Sequence, residues 1–524
     1  MTRTILSEKA TISADLDCHG LFGRREMDRQ GRFLNTERLT SHGNMRGREM
    51  LLQIMESGLS GGDPYHNIFR LITLDGDIMT VGSPDFTPPG DPHEGPEVID
   101  LNTIDRIFVF GAGKGVQHTA KAFEDLLGDR LTGGHLIDKK GGTRILERIG
   151  VTFGGHPVPD EGCIEGCKAI VKMCEGLTER DLVFTITGNG QGSLLTYPVD
   201  DISLEDLQKT VYIFQIEQGG TTVDLVPIRN HLDQIKGGKF SRFIHPAKAI
   251  HLFGHLMQSY DDLLYRPVNR WLHQLPDFQT YEDAILSLHR WNAWDKVPES
   301  VRRFLLKADP AQETLKIDEF LQMKSRLFCI MPEHIGFLPN ARKKAEEFGL
   351  RTYTLYEDFE MAGAEAMHVG KVVANMAIHS LEQADPFVPP CAIFSRGEMV
   401  VTVGSKKGMG GRNQEYVLSA AMELAERGGT SIIMGSIDTD GTDGPGKQFT
   451  DDPENMDVPV LTGGIVDYST ARRAKNKNLN IFEALRDHNT SKLLHALDDG
   501  IEATQNLSTG DLTVTLILDE HEHT

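Results

Sequence analysis

The sequence predicts an α/β protein of two unequal domains, a doubly wound parallel sheet followed by a smaller α/β domain. Three observations carry this. From Asp105 onward, short apolar strands alternate with segments of helical spacing, the pattern of parallel strands joined by crossover helices. The strands end in glycine-rich turns, "FGAGKG" and "TGNGQGS". After a mostly helical stretch rich in Trp, His and Leu, about 255 to 325, the alternation resumes. A chain of 524 residues is also too long for one ordinary domain.

Residues 1–43 are polar and aperiodic and read as an N-terminal extension; 44–325 form the first domain and 326–524 the second. Met1 to Ala10 carries charge of both signs and lacks the apolar core of a signal peptide or an Arg-rich transit pattern. No run is long enough to span a bilayer, so the expected location is cytoplasmic. "RGREMLLQIMESGL" has amphipathic helical spacing, and the Pro/Gly-rich "GSPDFTPPGDPHEGPE" must be loop. "RIFVFGAGKG" is a strand entering a turn, "VQHTAKAFEDLL" a helix, "GGHLIDKK" a strand, "DEGCIEGCKAIVKMCEGL" a helix and "DLVFTIT" a strand. Ser203 and Asp206 give a capping signature for the next helix. A further helical segment stops at Gly237–Gly238. In the second domain, "RLFCIMP", "RTYTLY", "SIIMGS" and "LTVTLIL" read as strands, and "NQEYVLSAAMELAER" as a helix.

With 54 Lys and Arg against 76 Asp and Glu, the formal charge is −22. Such a surface repels nucleic acid and anionic lipid, so an anionic substrate needs a local basic pocket. Six cysteines in so long a chain make no disulfide framework. Cys163, Cys167 and Cys174 read as small apolar residues on one helix face, because no second pair or His completes a zinc set.

Several segments can carry chemistry. In Phe110-Gly111-Ala112-Gly113-Lys114-Gly115, glycines after a strand let backbone N–H groups approach an anion, with Lys114 adding a cation. The alternative is a tight strand–helix turn. Phe108 and Gly115 break the P-loop pattern, and Val116 breaks the dinucleotide fingerprint. Asp138 stands where a ribose-binding acid would. Gly188-Asn189-Gly190-Gln191-Gly192-Ser193 is a second candidate cradle, or a plain βα loop. His156, between a strand and two prolines, is either aimed at a pocket or part of a rigid helix entrance. Arg229, His231, Lys236 and Lys239 cluster in "IRNHLDQIKGGK"; on a continuous helix Arg229 and Lys236 share a face, bound to an anion or simply solvated. Arg412, followed by Asn413 and Glu415, opens a helix after a glycine pair and suits bidentate contact with phosphate. Asp438, Asp440 and Asp443 are hard oxygen ligands suited to Mg²⁺, or members of an Asp/Gly turn.

Together, "FGAGKG", "GGHPVPDEG", "DLVFTITGNG", "ISLEDLQ", "IRNHLDQIKGGK", "GEMVVTV", "GGRNQE" and "DTDGTDGP" resemble, in order, the glycerate 2-kinase (MOFRL) family. The resemblance implies a Rossmann-like N-terminal domain, a C-terminal MOFRL domain and an active site in the cleft between them. It implies ATP- and Mg²⁺-dependent phosphorylation of a small hydroxy acid, D-glycerate in the family, at its 2-hydroxyl. The family's active-site Lys and Arg fall on Lys114 and Arg412. Substrate and nucleotide contacts are expected from Gly111, Gly113, Gly188, Asn189, Gly190, Gly192, Ser193, His156, Arg229, Lys236, Glu398, Asn413 and Glu415, and metal contacts from Asp438, Asp440 and Asp443. The expected partners are the acid and ATP, with a homodimer as the candidate assembly. Two departures stand out. The family's SGGGS-like loop is here "TGNGQGS", longer by one residue, and the family's SDV…GPT stretch has no match in residues 254–276. That segment offers His255, Tyr260, Tyr265, Arg266, Asn269 and Arg270, with Asp261 and Asp262 as substitute carboxylates, which implies an acid larger than glycerate. The rival readings are an NAD(P)-linked hydroxypyruvate or hydroxy-acid reductase and a non-catalytic nucleotide- or acid-binding protein on a kinase fold.

Overall fold

In the computed structural model, residues 31–519 are described, apart from 157, 255–256, 267–270, 358–363, 405, 407, 428, 445, 450–452 and 508–509. A small antiparallel sheet comes first: β1 (Ile72–Asp75), β2 (Ile78–Val81) and β3 (Glu97–Asp100). The Pro/Gly-rich loop joins β2 to β3.

The first large sheet contains β4 (Arg106–Ala112), β5 (Gly133–Lys139), β6 (Gly150–Gly154), β7 (Asp181–Thr187), β8 (Lys248–Phe253) and β9 (Ser325–Cys329). All neighbours are parallel, in the order β6-β5-β4-β7-β8-β9. Helices cover both faces of such a sheet, so its central strands are largely apolar; every residue of "DLVFTIT" in β7 is buried. The strand order reverses between β4 and β7, where doubly wound sheets open a crevice at their carboxyl ends. Both glycine turns sit there. Cys163, Cys167 and Cys174 are buried in the core beside this sheet. Asp160 and Ser203 cap their helices by accepting from Gly162 N–H and Asp206 N–H, both at 3.0 Å.

The second large sheet contains β10 (Arg351–Tyr356), β11 (Cys391–Gly397), β12 (Ile432–Asp438), β13 (Gly463–Asp467), β14 (Gly500–Ile501) and β15 (Asp511–Ile517), in the order β10-β11-β15-β12-β13-β14. β15 runs antiparallel between β11 and β12. Its first residue, Asp511, therefore pairs with the last residues of both neighbours, Gly397 and Asp438.

The chain laces the two halves together. Helix Met45–Gly61 lies on the second sheet, so close that a Cβ at Gly47 would sit 2.3 Å from Ile433 Cδ1. Within the stretch expected as an extension, Phe33 and Leu39 are buried and Phe33 bridges to Ala503. β9 completes the first sheet past residue 325. The helices between β8 and β9 form a satellite: Tyr281–Arg290 and Glu299–Lys307 share a core with residues 199–232. Among the described residues, no helix is long and apolar enough to cross a membrane.

The lacing is fixed by a buried ionic network. Arg48 donates from Nε to Asp467 Oδ2 (2.6 Å) and from Nη1 to Asp499 Oδ1 (2.8 Å), with all three side chains fully buried. Burial works against both carboxylates, but Arg48, joined at Asp499 by His42 and Arg473, outweighs it and holds them below the usual carboxylate range. Removing the cation strands the buried Asp467 and leaves Asp499 to Arg473 and His42. Arg48→Met is expected to cost about 3–5 kcal/mol, read as a lower Tm by circular dichroism. Because both folded-state pKa values are depressed, the network's contribution is present at neutral pH and lost as pH falls below about 4. An unchanged Tm in Arg48→Met would show that the network does not hold the halves together.

Candidate active site

The first half of the site comes from loops at the carboxyl ends of β4, β5, β6 and β7. Gly113 has φ +142°, and a Cβ there would lie 2.4 Å from Gly188 Cα. The two glycine turns are therefore in backbone contact. Gly188 N–H donates to Ala112 O (3.0 Å) and Lys114 N–H to Asn189 O (2.7 Å). Gly113 N–H donates to Ile137 O (3.1 Å) and Gly115 N–H to Asp138 Oδ1 (3.0 Å). This corrects the expectation of an anion cradle in the first turn: its N–H groups are spent inside the fold. Gly111 is likewise internal to β4, where a Cβ would lie 2.6 Å from Ile186 O. The first turn serves to position Lys114.

The second turn differs. The N–H groups of Asn189, Gly190 and Gly192 have no partner among the described residues. Gly190, at φ +80°, lets His156 approach: a Cβ would meet His156 Nε2 at 2.9 Å and Lys114 Cγ at 3.5 Å. Burial, with Lys114 and Lys139 nearby, draws the His156 pKa down to about 3 and keeps the ring neutral. Ser193 Oγ donates to Gly155 O (3.1 Å) and fixes the turn from behind.

The second half comes from one end of the second sheet, where the β11–β15–β12 register gathers acids. Arg412, first residue of the helix Arg412–Arg427, donates from Nε to Asp511 Oδ2 (2.7 Å) and from Nη2 to Asp438 Oδ2 (2.9 Å), with Glu398 Oε1 at 3.4 Å. Asn413 Nδ2 donates to Asp511 Oδ1 (2.8 Å). Asp440 Oδ1 accepts from Thr442 N–H (2.7 Å) and Oγ1 (2.8 Å), while its other oxygen is ion-paired with Lys114. That pair joins the two domains. The backbone closes beside it: Asn506 N–H donates to Asp440 O (2.9 Å), and a Cβ at Gly115 would lie 2.1 Å from Asn506 O.

Four carboxylates, Glu398, Asp438, Asp440 and Asp511, thus surround Lys114 and Arg412. Burial pushes Asp438 well up, helped by the adjacent Asp440, and pushes Asp511 up to about 6. Burial opposes the charge on Lys114 and Arg412, but the carboxylates outweigh it and hold both pKa values above their ordinary ranges.

Residues 50–254 match a domain described as of unknown function (DUF4147), and residues 391–515 match the MOFRL family. The chain is 28% identical over 456 residues to the glycerate 2-kinase of Pyrococcus horikoshii, covering 85% of this chain and 92% of that protein. It is 31% identical over 342 residues to a putative hydroxypyruvate reductase of Agrobacterium vitis, covering 65% of this chain and 73% of that protein. The crystal structure of glycerate kinase from Thermotoga maritima superposes with a TM-score of 0.66 at 26% identity, covering 90% of this chain and 99% of that one. The chain belongs to the glycerate kinase (MOFRL) family.

Against the MOFRL-family expectations, the cationic cluster divides. Its shared helix face required a continuous helix, but Thr222–His231 stops at Leu232 and Asp233 pairs with Pro198 in a β-bridge. Lys236 Nζ is buried against Asp233 Oδ2 (2.9 Å) and Thr196 Oγ1 (2.7 Å), a structural ion pair rather than an open ligand contact. His231 bonds Glu313 (2.7 Å), and Lys239 donates to Asn230 O (2.9 Å). Only Arg229 faces the second glycine turn. Asp443 is corrected too. Its carboxylate accepts from Gln414 N–H (3.0 Å) and Asn413 N–H (3.3 Å), capping the helix Arg412–Arg427, and so is not presented to a metal. Glu415 is turned to His488 (2.7 Å). Among the described residues, no three His, Cys, Asp or Glu side chains gather as a metal-holding set.

Of the divergent segment, His255, Asn269 and Arg270 lie outside the described residues. Asp261, Asp262 and Tyr265 are exposed on the helix Tyr260–Tyr265, which is tied to the 86–91 loop by Tyr260 N–H to Pro89 O (2.8 Å). Asp511, Lys139 and Asn506 were not singled out from the sequence. An acid opening the buried strand "LTVTLIL" was the available signal for Asp511.

If Asp443 is a helix cap, Asp443→Asn retains the accepting oxygen and the Mg²⁺ requirement of any activity stays within about twofold. Asp443→Ala loses about 1 kcal/mol of stability, the usual worth of a cap. Titration of activity against Mg²⁺ checks this, and a large rise in the requirement for Asp443→Asn would instead make it a metal ligand.

Proposed function

We propose that this chain is a phosphotransferase acting on an alcohol group, transferring the γ-phosphoryl of ATP to the hydroxyl of a small hydroxy acid such as glycerate, in the cleft between its domains. The observation that carries the reading is the meeting of Lys114 from the first domain and Arg412 from the second in one carboxylate cluster. Phosphoryl transfer needs in-line positioning and neutralisation of charge on the transferring group, with little covalent chemistry. Lys114 and Arg412 supply that charge from opposite walls, and Arg412 is held in place by Asp511 and Asp438. The open N–H groups of Asn189, Gly190 and Gly192 offer donors to anionic oxygens.

The donor chemistry fits Mg²⁺: Asp438 and Asp440 bring hard carboxylate oxygens to the cluster and are the residues suited to hold the ion. Mg²⁺ binds through one or two carboxylates and completes its shell with phosphates and water. When bound it would neutralise phosphate charge. His156, kept neutral beside Lys114, is suited to hydrogen bonding rather than to accepting a proton.

The reductase reading needs an open phosphate cradle and a free ribose-binding acid. Asp138 is instead occupied by Gly115 N–H and by Gln117 Nε2 (3.0 Å), and the first turn's N–H groups are internal.

The expected result is Mg²⁺-dependent ATP consumption with a hydroxy acid in a coupled assay across small hydroxy and sugar acids, and no NADH oxidation with hydroxypyruvate. Robust NADH turnover by the pure protein would overturn the kinase reading. Lys114→Ala and Arg412→Ala are each expected to lower kcat/KM by roughly 10²-fold or more, the scale for losing a preorganised charge contact. Wild-type activity in either variant would remove that residue from the mechanism.

A further inference from the structure

Arg229 is a largely buried cation without a counter-charge. No described group takes a hydrogen bond or ion pair from its guanidinium, and burial with nothing to offset it draws its pKa down to about 10. Nearby buried cations are all engaged, Lys236 with Asp233 and Lys239 with Asn230 O. In a chain of net charge −22, a guanidinium kept away from every described carboxylate has a large unmet demand for an anion.

Its surroundings point the same way. A Cβ at Gly192 would lie 3.9 Å from Arg229 Nη1, so the guanidinium stands against the turn whose N–H groups are open. Gln191, in that turn, is fully buried with neither amide atom hydrogen-bonded. His273 is 2% exposed with both ring nitrogens unpartnered, in the field of Lys236 and Arg229. At Gly190, two residues along, stand His156 and Lys114. The turn thus has the phosphoryl-handling lysine at one end and a lone guanidinium at the other.

We propose that Arg229 and the backbone of residues 189–192 form the subsite for the acceptor's carboxylate, with Gln191 and His273 as neutral hydrogen-bonding groups for its remaining polar atoms. The assignment rests on the kinase reading above. A guanidinium fork matches a carboxylate in two parallel hydrogen bonds. The hydroxyl of a short acid held this way lies toward Lys114.

The test uses the full chain, the acid it phosphorylates best, and the neutral amide of that acid. Arg229→Gln is expected to raise KM for the acid roughly 10- to 100-fold, the scale of a charged hydrogen bond. It should leave KM for ATP within about twofold and erase the preference for acid over amide. Arg229→Lys, which keeps a cation, should recover part of that preference. An equal rise in KM for ATP would assign Arg229 to nucleotide phosphate and overturn the proposal, as would an unchanged acid-to-amide ratio. If Arg229→Gln does not fold, Gly192→Ala carries the test. Its methyl makes ordinary contact with Nη1 but intrudes on the subsite, so an unchanged KM for the acid overturns the proposal. If the wild type phosphorylates no acid, the kinase reading fails separately. Calorimetry with D-glycerate and glyceramide then reads the subsite alone: binding of the acid lost in Gly192→Ala or Arg229→Gln supports it, and equal binding overturns it.

Discussion

The ion pair between Lys114 and Asp440 is the contact on which the arrangement of the site depends. Lys114 leaves the carboxyl end of the central strand of one sheet, and Asp440 follows the carboxyl end of a strand in the other. Both are largely shielded from water, so neither tolerates loss of its partner without a cost in desolvation. The glycines around them exist to permit this approach. Gly113 makes room for Gly188, Gly115 for Asn506, and Gly190 for His156. Once that register is set, the cluster of Glu398, Asp438, Asp511 and Arg412 follows from strand pairing in the second sheet.

The division of labour between the two glycine turns illustrates how similar sequences can serve different ends. Both follow buried parallel strands at the switch point of the sheet. The first turn donates its N–H groups to Ile137, Asn189 and Asp138, and becomes a rigid mount for a lysine. The second accepts from the first and keeps three N–H groups without a partner among the described residues. Nothing in glycine spacing distinguishes them, because the distinction lies in which neighbouring carbonyls are within reach.

Much of the architecture was legible in the sequence. Unbroken apolar runs such as "DLVFTIT", separated by helical periods, specify a parallel sheet covered on both faces, and Lys114 and Arg412 stood out through their motifs. What was not legible depended on contacts between distant segments. The pairing of Arg229 with Lys236 failed because the helix ends at Leu232, where a β-bridge from Asp233 to Pro198, 35 residues earlier, takes over. Asp443 looked like a metal ligand because a sequence does not say that its oxygens meet the start of a helix 30 residues away. Asp511 was overlooked because its importance comes from β15 lying between two strands that precede it by more than 70 residues. Helix Met45–Gly61 looked like the start of the first domain because its partner strands, β12 and β15, come more than 350 residues later.

The insertion of β15 between β11 and β12 also bears on how the protein is made. A nascent chain emerges from the ribosome in order, and the first parallel sheet can assemble as soon as β9 is free. The second sheet has no such path. Until residues 511–517 have left the exit tunnel, β11 and β12 have no common neighbour, and helix Met45–Gly61 has no complete surface to cover. The amphipathic face of that helix meets helix Phe337–Glu347 first, and the last strand it covers only about 450 residues after its own synthesis. At about 5–20 residues per second, that interval lasts tens of seconds. A helix whose two sets of partners are so far apart along the chain keeps part of its apolar face uncovered throughout that interval.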